Sequence, residues 1–274
     1  MSFVSLYSLD KLRVEFKLEK ENLQSLYDKY SIDSRIEYWG SSLINLFKHN
    51  FRFKCADDNS FWVGCEPNYE NIGLRDWVTC VVEFNPSKLK GDLTFLEVYR
   101  SFMIVSRDIR CCRFDLAIDI DVERSLCVLL KDKRKFSEIR YSDSNLTQYL
   151  GNKSSHGRIK LYNKALELGL VDSELTRLEL TIDYNKRDEV ECIFPKVFVG
   201  GEIPSNISGT DKALIFGALL NMDILNFLDK RKKKKIKDIL ADTSLILNYE
   251  PQKYLAVVSE VEYYINKTMY LKSM

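Results

Sequence analysis

Arg113-Phe114-Asp115-Leu116-Ala117-Ile118-Asp119-Ile120-Asp121 alternates between two kinds of residue. Phe114, Leu116, Ile118 and Ile120 fall on one side at a period of two, and Arg113, Asp115, Ala117, Asp119 and Asp121 fall on the other. That is the pattern of a half-buried strand, apolar toward a core and polar on its opposite face. The polar face holds an electrostatic conflict, because carboxylates along one strand face repel one another unless something positive sits among them. A divalent cation held by oxygen ligands would remove it, since Mg2+ takes one or two carboxylates together with phosphate oxygens. Open water, or an Arg or Lys on a neighbouring strand, would also do so. The strand alone does not choose.

Around this strand lies a chain of 274 residues, long enough for one large domain or two modest ones with a substantial core. Its 45% hydrophobic and 30% charged content is ordinary for a globular protein. The net charge is only +1, so any nucleic-acid binding must use local basic patches. Of seven cysteines, Cys111 and Cys112 are adjacent and the rest are scattered, with no CxxC pair and only two distant histidines. This argues against zinc and for reduced, partly buried thiols in a cytoplasmic protein. The N-terminus has no secretory signal pattern, and no apolar run approaches the roughly 18 residues of a membrane span. The expectation is a soluble, cytoplasmic protein without a membrane partner.

In chain order, Leu12, Val14 and Phe16 alternate with charged residues as a first strand. Residues 20–30 and 34–47 carry a loose helical spacing, clearest at Leu43, Leu46 and Phe47. Phe61–Val63 and Trp77–Phe84 read as strands around the turn-rich Pro67–Gly73, and Asp92 caps a helix running to about Val105. Ser125–Leu130 is a strand or buried segment, Leu146–Leu150 a short strand, and Gly151–Gly157 a turn. Arg158–Lys164 and Thr176–Asp183 are strands of alternating character. Residues 188–210 look like irregular connection, and helices follow at Lys212–Leu220, Asp223–Leu240 and Pro251–Tyr270. Lys230-Arg231-Lys232-Lys233-Lys234-Lys235 is the strongest positive cluster. It is a solvated helix face or, on the sharper reading, a phosphate-binding one.

If the three alternating strands share one antiparallel sheet, their polar faces fall together. Asp115, Asp119 and Glu179 would then stand near Arg158, Lys160, Tyr162 and Lys164. Acidic metal ligands, a phenol and flanking lysines make a phosphoryl-transfer set, with tyrosine as covalent nucleophile and lysine stabilising charge. The plainer alternatives are a packed tyrosine with a wet hydroxyl, solvated lysines, and Glu179 paired with Arg177 or a lysine. His156, in its Ser/Gly turn, reads as a surface residue. Gly200-Gly201 is a turn and not a phosphate loop, since no GxxxxGK[ST] occurs.

Four segments in this order resemble a family: Arg113–Asp119, Thr147-Gln148-Tyr149-Leu150-Gly151, Arg158-Ile159-Lys160-Leu161-Tyr162-Asn163-Lys164, and Thr176-Arg177-Leu178-Glu179-Leu180. The chain resembles the Rep_trans replication initiation factors of rolling-circle plasmids, filamentous phages and integrative elements. Val82-Glu83-Phe84-Asn85-Pro86-Ser87-Lys88 also looks like a segment found upstream in phage and element members. The resemblance implies a metal-dependent DNA strand transferase. Its tyrosine attacks an origin phosphodiester, stays linked to the 5′ phosphate and leaves a 3′ hydroxyl. Carried over, Tyr162 is the nucleophile, Lys160 and Lys164 are its basic neighbours, and Asp115, Glu179 and Asp119 hold Mg2+ or Mn2+. Arg113, Arg158 and Arg177, with Lys230, Arg231, Lys232, Lys233, Lys234 and Lys235, would contact nucleic acid. The implied partners are double-stranded origin DNA with a hairpin-extruded single strand, host helicase and polymerase, and a second copy in a homodimer. One departure is Lys-Leu-Tyr-Asn-Lys at 160–164 where the commoner form has Arg-Ile-Tyr-Asp/Glu-Lys.

The expected fold is α+β: an antiparallel sheet of mixed strand order with flanking helices and a helical C-terminal region. The expected domains are a β-rich nicking domain at 1–190 and a helical, DNA-recognising region at 211–274. The rivals are a non-catalytic DNA-binding regulator of a mobile element, and an RNA-binding or scaffolding protein with a half-polar sheet.

Overall fold

A computed structural model describes residues 4–40, 46–67, 76–142, 145–170, 173–199, 207–220, 222–240 and 246–266. The strands are β1 (Ser5–Glu19), β2 (Ile36–Gly40), β3 (Phe47–Lys54), β4 (Ser60–Pro67), β5 (Trp77–Phe84) and β6 (Arg107–Ile120). They continue with β7 (Cys127–Leu129), β8 (Phe136–Arg140), β9 (Leu146–Leu150), β10 (Ile159–Asn163), β11 (Thr176–Asp183) and β12 (Val197–Val199). The helices are α1 (Lys20–Tyr30), α2 (Pro86–Leu89), α3 (Leu93–Val105) and α4 (Lys164–Glu167). After them come α5 (Val190–Ile193), α6 (Gly209–Leu220), α7 (Lys230–Leu240) and α8 (Pro251–Ile265). The class is α+β, and the ladders are antiparallel.

The chain forms two compact units, each assembled from separated stretches. The first comprises Met1–Tyr7, Ala117–Ile182 and Lys186–Pro251; the second comprises Ser8–Leu116, Asp183–Asn185 and Gln252–Met274. These stretches cut across the division at 1–190 and 211–274, because residues from both sides of it enter each unit. Strand pairing follows space, and composition along the chain does not reveal it.

In the second unit the strand order is β2-β3-β4-β5-β1. Leu12, Val14 and Phe16 lie opposite Phe84, Val82 and Cys80, all essentially excluded from solvent. On this apolar face sit the aromatic residues of the helices. Phe95 of α3 meets Phe84 at 4.7 Å between ring centroids, Tyr30 of α1 stacks on Phe102, and the Tyr99 hydroxyl donates to the Tyr264 carbonyl of α8 at 2.9 Å. In the first unit the order is β11-β10-β9-β8, with the end of β6 beside β11. Ile118, Ile120, Ile159, Leu161, Leu178 and Leu180 are fully buried. A second cluster of Phe198, Ile215, Ala218, Leu225 and Ile236 seats α6 and α7.

Three expectations change. Residues 34–47, read as loosely helical, instead give β2 and the start of β3, where Ile36, Tyr38 and Trp39 lie opposite Phe53, Phe51 and Asn50. Cross-strand pairing overrode a spacing of three to four that rested partly on Leu43, which lies outside the described residues. The helix read over 223–240 is broken: a 3-10 segment at Met222–Phe227 precedes α7, whose Lys232 amide donates to the Asp229 carboxylate at 2.8 Å. The connection read at 188–210 contains α5 and β12. The turn at 68–73, the Gly200-Gly201 pair and the tail of the last helix at 267–270 lie outside the described residues. All seven cysteines are free thiols, and among the described residues no helix is long and apolar enough to cross a membrane.

Candidate active site

The first unit builds the site from a register that the alternating sequences require. Ile159 and Leu161 lie opposite Leu180 and Leu178, so Lys160 and Tyr162 lie opposite Glu179 and Arg177 on the other face. A turn delivers β10 to this register. Gly151 and Gly157 hold φ of +84° and +76°, a left-handed geometry that side chains rarely adopt, and a Cβ on Gly151 would stand 3.3 Å from the Arg158 backbone. In the 3-10 turn Arg124–Leu126, Arg124 is buried and donates to the Gln148 amide oxygen at 3.0 Å and to the Leu161 carbonyl at 3.4 Å. Burial lowers its pKa to about 10.

Tyr162 is the centre of the polar cluster. Its hydroxyl donates to Glu179 Oε1 at 2.7 Å, and the Lys160 Nζ stands 3.6 Å from the ring centroid and 3.7 Å from Glu179. Lys164 lies farther from the ring, at 5.9 Å. At the last residue of β10, the Asn163 side chain accepts from the Leu166 amide at 2.8 Å and starts α4. That turn brings back Glu167, which pairs with Lys164 at 2.9 Å. Glu167 also bears on the Tyr162 phenol, and its own pKa is lowered: burial raises it, but Lys164, the phenol and Lys160 outweigh burial. Tyr162 is only 6% exposed. Its pKa is pushed far above the ordinary phenol value, first by burial, then by the charge and hydrogen bond of Glu179, then by Glu167. The resting phenol is therefore neutral, with its proton already directed at a carboxylate.

The remaining expected site residues take different places. Asp119 and Arg177 hold each other: Arg177 Nε donates to Oδ1 at 2.6 Å and Nη2 to Oδ2 at 2.7 Å, with both side chains mostly buried. Arg158 lies 5.2 Å from the Tyr149 ring centroid. Asp115 and Arg113 belong to the second unit, where Arg113 reaches Glu83 at 3.4 Å. In α7, Lys232 and Lys235 grip the buried Asp211 at 2.7 and 2.8 Å, and Lys233 donates to Asn226 at 2.9 Å. Lys230, Arg231 and Lys234 are exposed. The basic run thus divides into a part that anchors the helix and a part directed to solvent.

Glu167 is the residue that the period-two reading missed, because it enters through a helix and not a strand. The available signal was Asn163, a capping residue three positions before Leu166. For a divalent cation, no group of three His, Cys, Asp or Glu side chains is assembled among the described residues. Glu179 and Glu167 are nevertheless hard oxygen donors beside one phenol, which suits Mg2+ or Mn2+ when phosphate oxygens complete the shell. Asp119 could join only by leaving Arg177.

Comparison with known proteins adds a relative. A protein described as "Replication initiation protein" from Staphylococcus aureus is 24% identical over 253 residues, covering 87% of this chain and 76% of the relative. The chain is thus similar over most of its length to the kind of protein its motifs resemble. A solved structure of a rolling circle replication initiator protein from Geobacillus stearothermophilus aligns with a TM-score of 0.42 and 13% identity. That alignment covers 86% of this chain and 97% of the other. No family model matches the chain.

Proposed function

We propose that this chain is a rolling-circle replication initiator that nicks and rejoins one strand of origin DNA through a covalent link to Tyr162. The observation that carries the reading is the Tyr162 hydroxyl at 2.7 Å from Glu179 with Lys160 against its ring. The sequence similarity to a replication initiation protein supports it independently.

The step begins with the proton that Tyr162 already shares with Glu179. Glu179 takes it as general base while the phenolic oxygen attacks the scissile phosphorus. The bond from phosphorus to the 3′ oxygen breaks, and that oxygen takes up a proton from solvent. The product is a 5′-phosphotyrosine and a free 3′ hydroxyl for a polymerase to extend. Attack by a 3′ hydroxyl on the phosphotyrosine reverses the sequence and rejoins the strand. Lys160 offsets the negative charge that develops at the phenol, and Lys164 holds Glu167 in place. Glu179 and Glu167 would hold a divalent cation, which supplies Lewis-acid polarisation of a phosphate oxygen when bound. The exposed Lys230, Arg231 and Lys234 supply sequence-independent phosphate contacts.

The burial of Tyr162 favours a second reading, in which the phenol only packs and the protein is a DNA-binding regulator. One experiment separates the two. Labelled single-stranded oligonucleotides tiled across the replicon that encodes the chain are incubated with protein and Mn2+, then run on a denaturing gel. The initiator reading expects label on the protein with at least one oligonucleotide and none with Tyr162→Phe. Salt-sensitive binding with no adduct from any of them supports the regulator.

A further inference from the structure

The polar face of the second unit's sheet carries a feature unrelated to Tyr162. Trp62 on β4 lies opposite Arg52 of β3 on one side and Glu83 of β5 on the other, and Arg13 of β1 lies beyond Glu83. Glu83 is surrounded by cations: Lys11 at 2.6 Å, Arg13 at 3.4 Å and Arg113 at 3.4 Å. Its pKa is lowered, since these three outweigh the effect of burial. It therefore remains an anion, yet neutralises only one of them. Arg52 lies 3.9 Å from Glu37, which Lys54 holds at 2.9 Å. Asp10, also at the cleft, accepts from Asn85 at 3.2 Å. The surface keeps an excess of positive charge.

Within that charge stands a fixed aromatic plane. A Cβ on Gly64 would be 2.4 and 2.5 Å from Trp62 ring carbons and 2.8 Å from Phe47, so only glycine lets the indole lie along the strand there. The ring edge packs on Phe47 at 5.3 Å, and Nε1 donates to Asn50 Oδ1 at 3.2 Å. Held in this way, the indole forms part of a cleft of about 280 Å3 bordered by Lys11, Arg52, Ser60 and Glu83. Core aromatics of this unit, such as Phe51 and Phe53, are buried on the opposite face. Trp62 is spent on neither the core nor the proposed chemistry.

An immobilised indole flanked by more cations than carboxylates fits an unpaired strand, whose phosphates seek charge and whose bases offer a free stacking face. A duplex offers the phosphates and hides the faces. We propose that the surface formed by Trp62, Arg52, Lys11 and Arg13 binds single-stranded DNA, with one base stacked on Trp62 and adjacent phosphates on the three cations. The assignment to DNA over RNA rests on the function proposed above; the stacking and charge arguments do not.

The test is a titration of the full chain with oligothymidylate, followed by tryptophan emission, at low and raised salt. Quenching is expected, and Trp62→Phe should weaken binding roughly 5- to 100-fold while removing most of the quench. The Lys11→Gln/Arg13→Gln variant should bind more weakly and shrink the salt slope by about one to two. Unchanged affinity in Trp62→Phe, or inorganic polyphosphate binding as tightly as the oligonucleotide, overturns the stacked-base site. A preference for duplex or for oligouridylate overturns the assignment to single-stranded DNA. The quench reports on Trp62 and the covalent adduct on Tyr162, so failure here is distinguishable from absence of the adduct.

Discussion

A phenol donating to a carboxylate at 2.7 Å, with an ammonium against its ring, is poised to lose a proton only as a new bond forms. Because burial and two carboxylates hold the Tyr162 proton, the folded phenol keeps it through the ordinary tyrosine range near pH 10. The sign follows: the folded pKa lies above the unfolded one, so this group's stabilising contribution is complete below the unfolded value and is lost as pH rises toward the folded one. In an ultraviolet titration, wild type and Tyr162→Phe should show the same number of phenols ionising in the ordinary range. One fewer in the variant would mean that the phenol is not held. Tyr162→Phe should cost about 1.5–3 kcal/mol in urea unfolding, the loss of one hydrogen bond to a charged group. Glu179→Gln should slow adduct formation about 10²- to 10⁴-fold with the fold intact, and an unchanged single-turnover rate would remove its role as base. Asp119→Asn acts differently. It strips the charge from a mostly buried bidentate pair, and roughly 3 kcal/mol of stability should go with it.

At the scale of elements, the polar alternation of β6, β10 and β11 was legible because a strand with one wet face has a single usable register. The meeting of Lys160 with Glu179 follows from that periodicity once β10 and β11 are neighbours in one sheet, which the sequence reading took as its condition. Glu167 was not legible in this way, since period two stops at α4. The cap at Asn163 governs its position, and Asn163→Ala should cost about 1 kcal/mol and lower the adduct rate by releasing Glu167. β8 escaped because an exposed edge strand, Phe136-Ser137-Glu138-Ile139-Arg140, has no apolar face to betray it. β3 was hidden by competition between helical and strand spacing around Phe47. The basic run was visible, but its division was not, because Asp211 lies on another helix. Two lysines hold that carboxyl well below the usual carboxylate range. Its stabilising contribution is present above the unfolded pKa near 4 and disappears only as pH falls through the lower folded value. Limited proteolysis of α7 should therefore stay slow under moderate acid in wild type and become faster at neutral pH in Asp211→Asn.

For the whole molecule, the decisive property is that neither unit is a continuous piece of chain. Tyr264 of α8 packs against Phe84, Phe95 and Tyr99, which lie more than 150 residues earlier. Removing 252–274 should lower the melting temperature of the second unit by several degrees and expose its aromatic core to a hydrophobic dye; an unchanged melt would show that α8 is dispensable. Sequence composition gave no sign of this closure, because a terminal helix looks the same whether it completes a distant core or stands apart. One consequence reaches the making of the protein. While the ribosome still holds the last turns of α8, the core begun some 250 residues earlier lacks the piece that closes it. That core can close only after α8 has emerged, and a chain stopped before Gln252 leaves it open.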